Sequence, residues 1–197
     1  MSFTSQATLR SAVFTRSTVV TQAALVLGGS AFLALMAQIA LPIPGSPVPV
    51  TGQTLGALLL GTAYGASLGF TTFATYLVIG IAGAPIFASG GHGVARLTGA
   101  TGGYLVGMLL ASLITGFLAH RAWDRKLRTS ITTMIAGEVV IFAAGLIWLH
   151  HVAVQSWSWT FSKGLVPFVP GEVLKIAIAS TALPLVWRLL PANLRNS

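Results

Sequence analysis

Charged residues are scarce in this chain of 197 residues. Only 7% of the residues are Asp, Glu, Lys or Arg, and only three residues are acidic. A soluble domain carries about a quarter charged residues, so this chain has too little charge to cover a surface that faces water. Because 54% of its residues are hydrophobic, the sequence indicates a protein that is embedded in a lipid bilayer.

Cysteine is absent, which excludes disulfides, thiolate chemistry and cysteine-ligated metals. The sequence also lacks the HExxH, phosphate-binding Gly-Lys-Ser/Thr and GxSxG motifs of common enzyme classes. His150 and His151 are adjacent, so on a helix they face different directions and form no metal pair. We therefore predict that the chain is not an enzyme and holds no metal or other cofactor. Three acidic residues also argue against a cation pump.

The apolar runs predict an all-α integral membrane protein, a six-transmembrane-helix bundle with both termini cytoplasmic. A helix needs about 20 apolar residues to cross about 30 Å of hydrocarbon, so residues 1–197 form a single membrane domain. Residues 1–17 are interpreted as a cytoplasmic tail. The predicted spans cover about 19–41, 51–63, 68–81, 99–119, 131–149 and 169–190, of which the second is short for a full crossing.

The distribution of basic residues predicts this orientation. Six crossings place both termini on one side of the membrane, together with the loop at 120–128. Lys and Arg mark the cytoplasmic face, which explains the net charge of +8 better than nucleic-acid binding does. Asp124 is interpreted as an exposed partner of its basic loop. The cytoplasmic side would hold Arg10, Arg16, Arg121, Arg125, Lys126, Arg128, Arg188 and Arg195, and the other side Arg96, Lys163 and Lys175.

Glu172 and Lys175 lie at the front of the last apolar run. Pro170 suits the first turn of a helix, where the helix dipole favours a carboxylate such as Glu172. Lys175 follows three residues later on the same face. One interpretation is a self-neutralising ion pair that helps the helix start in lipid. We prefer a functional role, because ionisable residues in membranes are costly and usually mark a substrate or ion path.

Three further polar residues are candidates. Arg96 lies in a glycine-rich connection at 82–98 and can bind a carboxylate through two hydrogen bonds; the alternative is an interfacial arginine that reaches lipid headgroups. His92 lies nearby as a candidate contact, with an incidental loop histidine as the alternative. Glu138, in the fifth span, is interpreted as a structural carboxyl, protonated or not, that is hydrogen-bonded between helices, in preference to a proton-coupling acid.

Five segments follow one another along the chain: PIPGSPVPVTGQTLGALLLG (42–61), GAPIF (83–87), TGATGGYLVG (98–107), GLIWL (145–149) and PFVPGEVLK (167–175). Together they resemble the BioY family, whose members are the biotin-specific substrate-capture subunits (S components) of energy-coupling-factor transporters. The resemblance runs in order from about residue 20 to residue 188, which is nearly the whole chain.

The resemblance implies a six-helix bundle in a prokaryotic plasma membrane that captures biotin from the extracellular side. A transmembrane coupling protein and two cytoplasmic ATPases would supply the energy. Glu172 and Lys175 match the family's biotin-contacting acid and lysine, although the family usually has aspartate at the first position. The family also usually has proline where Ala100 stands. Arg96 falls where an arginine that binds the biotin carboxylate is expected.

Other residues acquire expected roles from the same resemblance. Tyr104 and Phe87 would pack on the apolar part of biotin. The stiff loop at 42–50 is a candidate lid, carried by Pro44, Gly45 and Pro47. Family members dock on the coupling protein through small residues of the first helix, and that spacing occurs here at Ala24, Gly28, Ser30 and Ala34; ordinary packing within the chain is the alternative.

Three other functions stay open from the sequence. The chain would be an S component for another small vitamin or carboxylate, a membrane-embedded enzyme that uses Glu172 or Glu138 as acid or base, or a scaffold subunit without a ligand.

Overall fold

The computed structural model describes residues 7–14 and 18–195, without the side chains of Asn193 and Arg195. Most of these residues are helical, as predicted. Arg16 and much of the predicted tail at 1–17 lie outside the described residues. The elements are α1 (Leu9–Val13), α2 (Val19–Gln38), β1 (Ala40–Leu41), β2 (Val50–Thr51), α3 (Gln53–Tyr64), α4 (Ala66–Ile81), a 3-10 turn (Ala88–Gly90), α5 (Ala95–Thr98), α6 (Gly102–Ala119), α7 (Leu127–Ala153), α8 (Trp157–Gly164), α9 (Val169–Leu189) and α10 (Ala192–Arg195).

Four of the described helices are long and apolar enough to cross a membrane: α2, α6, α7 and α9. The helices α3 and α4 contain only 12 and 16 residues, so they fall short of the usual length of a membrane-crossing helix. Gly65 joins these two helices at a φ of +84°, a left-handed backbone that glycine adopts without steric cost. This tight turn makes α3 and α4 an antiparallel pair.

The predicted boundaries differ most where a helix continues past its apolar run. Helix α7 covers Leu127–Ala153 instead of 131–149, because polar and basic residues at both ends prolong it. The segment between the fifth and sixth predicted spans contains α8, whose N-cap Ser156 accepts a hydrogen bond from the Trp159 backbone N–H at 3.2 Å. Helix α2 ends at Gln38, short of residue 41, because the chain there enters β1.

The proline-rich loop is non-helical, as predicted, and it closes a short hairpin that was not predicted. Strands β1 and β2 pair antiparallel, with Ala40 opposite Thr51. The Ser46 hydroxyl in the loop donates to the carbonyl oxygen of Lys163 in α8 at 2.8 Å. This bond holds the loop against α8, and we call this end of the bundle the hairpin end.

Helix α6 lies at the centre of the bundle, packed against α7, α3 and α4. In the membrane-spanning segment of α6, 61% of the residues are buried, compared with 17% in that of α2. Gly107 lets α6 approach α7 closely, since a Cβ atom at this position would lie 2.8 Å from Ile141 Cα. Close contacts of this kind are how helices associate in lipid. Helix α2 is therefore peripheral, whereas α6 forms the core.

The opposite end, which we call the basic end, gathers α1, the turn at 120–126 and the C-terminal part of α9. Trp187 donates its indole N–H to Asp124 Oδ2 at 2.5 Å. The Arg125 guanidinium lies 4.2 Å above the centroid of the Trp187 ring and donates to the Ala7 carbonyl oxygen at 3.0 Å. Asp124 is fully buried, so its interpretation as an exposed residue was wrong. Burial raises the pKa of Asp124, and the hydrogen bond from Trp187 opposes this shift.

Candidate ligand-binding site

A cavity opens at the hairpin end, between β2, the first turns of α3, α6 and α9, and the connection that carries α5. Its empty volume, which includes the open space at its mouth, is about 530 Å³. Of the residues that line it, Glu172 and Arg96 carry charge. Most of the wall is apolar and is formed by Val48, Phe87, Leu105, Met108, Phe142 and Phe168.

Glu172 is fixed at the first turn of α9 by two hydrogen bonds. Its Oε1 atom accepts from Lys175 Nζ at 2.8 Å, and its Oε2 atom accepts from the Thr54 hydroxyl at 2.9 Å. Lys175 Nζ also donates to Thr54 Oγ1 at 2.9 Å and to the Thr51 carbonyl oxygen at 2.5 Å. Thr54 therefore joins both members of the ion pair and links α3 to α9. We call Glu172, Lys175 and Thr54 the ion-pair cluster.

Lys175 directs its ammonium group into the protein. An ammonium has three donors, and all three are used within the chain. Lys175 is not among the residues that line the cavity. The structure thus separates the two members of the predicted pair: Glu172 faces the cavity and Lys175 holds it. Each carboxylate oxygen of Glu172 accepts one hydrogen bond within the cluster and retains a lone pair for a further donor.

Arg96 is the cation that faces the cavity. It belongs to α5, and its guanidinium lies beside Gly91. The Thr101 hydroxyl donates to the Arg96 backbone carbonyl at 2.9 Å, which fastens α5 to the start of α6. The predicted glycine-rich connection is therefore ordered into a 3-10 turn and a short helix that present the arginine.

The two predicted aromatic contacts, Tyr104 and Phe87, both line the cavity. The Tyr104 hydroxyl donates to the Gly164 carbonyl oxygen at 2.8 Å, and its ring stacks on Phe168 with centroids 6.2 Å apart. The Phe87 ring meets Tyr76 edge-on at 5.4 Å. Both rings are fixed by these partners, so the cavity has preformed aromatic walls.

His92 lies outside the cavity lining. Its side chain is exposed, and its Nδ1 atom lies 3.5 Å from the Gly90 carbonyl oxygen. This location favours the alternative of an incidental loop histidine over a ligand contact.

The predicted lid residues lie at the cavity's rim. Pro44, Gly45 and Pro47 are exposed and do not line the cavity. Val48 and Pro49, at the end of the same loop, do line it. The loop therefore contributes to the wall through its C-terminal part, while its tip packs toward Lys163.

The four predicted docking residues fall on two faces of α2. Ala24 and Gly28 are exposed, and the space beside Gly28 is open. Ser30 is buried and donates its hydroxyl to the Thr72 carbonyl oxygen of α4 at 3.1 Å. Ala34 packs against the core. Ser30 and Ala34 thus take part in packing within the chain, which favours the alternative left open for them, whereas Ala24 and Gly28 form the outward small-residue surface.

Glu138 is buried where α7 packs on α9, the place where its predicted hydrogen bond between helices would form. Its side chain is 6% exposed, and in the ionised form neither carboxyl oxygen has a donor among the described residues. The neighbouring hydrogen-bonding group is the Glu172 carboxyl of α9, and a bond between two carboxyl groups requires a proton on one of them. Its carboxyl group lies within electrostatic reach of Glu172 and Lys175. Helix α7 therefore brings a second acid to the ion-pair cluster.

Several residues of the site were not predicted, and most of them are polar. Thr51 ends β2, and Gln53 and Thr54 begin α3. Gln53 Nε2 donates to the Tyr76 hydroxyl at 2.8 Å. A polar group in an apolar interior is costly unless it is hydrogen-bonded. Three polar side chains at the front of an apolar run were therefore an available signal. Phe168, by contrast, shows no pattern that distinguishes it from other apolar residues.

Comparison with known proteins gives consistent matches. A family model described as the BioY family matches residues 6–192. The biotin transporter BioY2 of Lactococcus lactis subsp. cremoris is 31% identical over 166 residues, which cover 84% of this chain and 90% of the relative. The biotin transporter BioY of Rhizobium etli is 32% identical over 157 residues, which cover 75% of this chain and 83% of the relative.

A solved structure shares the fold. The crystal structure of the S-component for biotin from an ECF-type ABC transporter superposes with a TM-score of 0.79 at 21% sequence identity, covering 91% of this chain and 99% of that one. At this identity the likeness establishes the architecture alone. Since the family model extends over nearly all of the sequence and the relatives cover most of it, the chain belongs to the BioY family.

Proposed function

We propose that this chain is the high-affinity biotin-binding membrane subunit of a vitamin uptake transporter. The observation that carries the proposal is the cavity at the hairpin end, where Glu172 and Arg96 face an otherwise mostly apolar space. Membership of the BioY family supports the same ligand. The role is capture and transport, without chemical change of the ligand.

The chemistry of biotin matches the charges of the cavity. Biotin has two ureido N–H donors, an apolar bicycle and chain, and a terminal carboxylate. The Glu172 carboxylate can accept hydrogen bonds from the ureido N–H groups, and Arg96 can donate two parallel hydrogen bonds to the carboxylate of biotin. Tyr104 and Phe87 supply part of the apolar wall for the bicycle and chain.

Lys175 acts in this scheme as a positioning residue. Its three donors are used by Thr51, Thr54 and Glu172, so it orients the Glu172 carboxylate and keeps its charge compensated. Removing one partner of a buried charge pair costs about 2–5 kcal/mol, much of it from leaving the other charge unpaired. Loss of Lys175 is therefore expected to weaken binding through Glu172.

The membrane arrangement follows the same proposal. Six crossings, with α3 and α4 as the short ones, would place both termini and the basic end in the cytoplasm of a prokaryotic cell, and the cavity outside. A transmembrane coupling protein and two cytoplasmic ATPases would drive release of biotin. Ala24 and Gly28 would contact the coupling protein, because their small side chains on an exposed helix face permit close approach of a partner helix.

The alternatives differ in measurable ways. An S component for another vitamin or carboxylate would bind that compound in preference to biotin. A membrane-embedded enzyme would alter the compound that it binds, and a scaffold subunit would bind none.

Isothermal titration with biotin tests the proposal. The purified protein, shown to be folded and free of ligand, is titrated in lipid nanodiscs beside Glu172→Gln and Arg96→Gln. Each substitution is expected to weaken binding by about 2–5 kcal/mol, which is roughly 30-fold to several thousand-fold in Kd. Arg128→Gln, at the exposed start of α7, is the matched control and should bind as the wild type does. Failure of the folded wild-type protein to bind biotin would refute the proposal.

A further inference from the structure

Glu138 is a buried acid for which the proposed binding scheme has no role. It lies near the middle of α7 with 6% of its surface exposed. When it is ionised, neither of its carboxyl oxygens has a donor within the described residues. The Glu172 carboxyl is its hydrogen-bonding neighbour, and the two groups bond only if one of them holds a proton. A buried carboxylate without a partner loses its hydration and receives nothing in return, so the ionised form of this side chain is poorly accommodated in the structure.

The charged groups near Glu138 come from α9. They are Glu172 and Lys175. The helices α3 and α6, which also pack against α7, contain no Asp, Glu, Lys, Arg or His. Their tyrosine hydroxyls are used elsewhere, since Tyr64 donates to the Leu25 carbonyl and Tyr104 to the Gly164 carbonyl.

The remaining neighbour of α7 also brings no counter-charge to Glu138. Helix α8 contributes Lys163, whose ammonium lies beside Gly45 in the proline-rich loop. Two carboxyl groups therefore meet one ammonium, and all three donors of Lys175 are already used. Together, these two carboxyl groups and the ammonium are neutral only if one of the carboxyl groups retains a proton.

We propose that Glu138 holds this proton when the site binds its ligand, and that losing it weakens binding because ionised Glu138 competes with Glu172 for Lys175. The inference rests on the proposed function, since it concerns the same site. With Glu138 neutral, Glu172 keeps Lys175 and Thr54 and presents its free lone pairs to the ligand. With Glu138 ionised, a second negative charge draws Lys175 away from Glu172 and disturbs the orientation of the binding carboxylate.

The sign of the pH dependence follows from linkage. The ligand-bound protein holds the Glu138 proton more tightly than the free protein does, so binding takes up protons wherever Glu138 is partly ionised. Affinity is then full at low pH and falls as the pH rises through the titration of Glu138. One linked proton changes Kd by up to about tenfold per pH unit.

Titration calorimetry from pH 6.5 to 9.5 tests this inference. The Kd for biotin is measured at each pH in two buffers of different ionisation enthalpy, which gives the number of protons taken up. The wild type should lose affinity and take up protons in the alkaline range. Glu138→Gln, which mimics the neutral acid, should bind within about threefold of the wild type at pH 6.5 and should show neither effect. Glu138→Met serves as a second neutral variant if the glutamine variant does not fold.

The outcomes separate this inference from the function on which it rests. A wild-type Kd that stays constant to pH 9.5 would overturn the inference while leaving biotin binding intact. The same conclusion would follow if the neutral variants kept the wild-type pH profile, because another group would then carry the proton. Absence of binding by the wild type at pH 6.5 would overturn the proposed function and this inference with it.

Discussion

Thr54→Val removes the hydroxyl that joins both members of the ion pair while keeping the shape of the side chain. Thr54 makes two hydrogen bonds to charged groups, as donor to Glu172 Oε2 and as acceptor from Lys175 Nζ, both at 2.9 Å. Such bonds contribute about 1.5–3 kcal/mol each. The cavity lies alongside, so water replaces part of the loss, and we expect the free energy of unfolding to fall by about 3 kcal/mol, the lower end of the sum.

The assay is thermal unfolding in detergent, followed by circular dichroism. For a chain of this size about 1 kcal/mol corresponds to about 2–4 °C, so Thr54→Val should lower the Tm by about 6–12 °C. Biotin affinity should fall by at least about tenfold, because Glu172 loses the bond that fixes its second oxygen. Thr54→Ser keeps the hydroxyl and loses one methyl group, so it should lose only about 1 kcal/mol.

The comparison of the two variants decides the matter. The opposite result is that the two variants show the same Tm and the same affinity for biotin. That result would mean that the hydroxyl does not hold the ion pair, and it would refute the positioning role given to Thr54 and Lys175.

Three further perturbations concern packing and charge outside the ion-pair cluster. Trp187→Phe leaves Asp124 Oδ2 without its donor and should lower the free energy of unfolding by about 1–3 kcal/mol, measured by thermal unfolding. Because burial raises the pKa of Asp124, the folded state binds this proton more tightly than the unfolded state, and stability falls as the pH rises above about 4. Asp124→Asn should flatten the stability profile between pH 4.5 and 7.5, and an unchanged slope would contradict this reasoning. Gly107→Ala puts a Cβ atom 2.8 Å from Ile141 Cα and should cost about 1–3 kcal/mol in unfolding free energy, whereas Gly28→Ala, with open space around it, should cost little.

The helices were predictable because apolar length is visible in the sequence. The run at 169–190 became α9 at Val169–Leu189 almost unchanged. Helix α8 was missed because eight residues that mix tryptophan, serine and lysine give no apolar run, and its start depends on the Ser156 cap. The hairpin was missed because two-residue strands are defined by pairing across the proline-rich loop, which no local pattern reveals.

The site was predictable only in part. Glu172 and Lys175 were found because two charges three residues apart on an apolar helix are conspicuous. The role of Lys175 was not, since it depends on Thr54 and on the Thr51 carbonyl, which are more than 120 residues away in sequence. Glu138 reached the ion-pair cluster through the packing of α7 on α9, a tertiary relation that its own neighbours in sequence do not encode.

The three acidic residues of this chain all meet α9. Asp124 accepts from Trp187 near one end of the helix, Glu172 belongs to its first turn, and Glu138 faces that turn from α7. All three acids are buried. Displacing α9 against its neighbours would therefore strip a buried charged group of its partner, which is among the costliest changes in a protein interior. Helix α2, by contrast, is mostly exposed and carries none of these acids. The binding carboxylate of Glu172 thus belongs to a helix that is tied to its neighbours through buried acids, which suits a site whose geometry must be set before the ligand arrives.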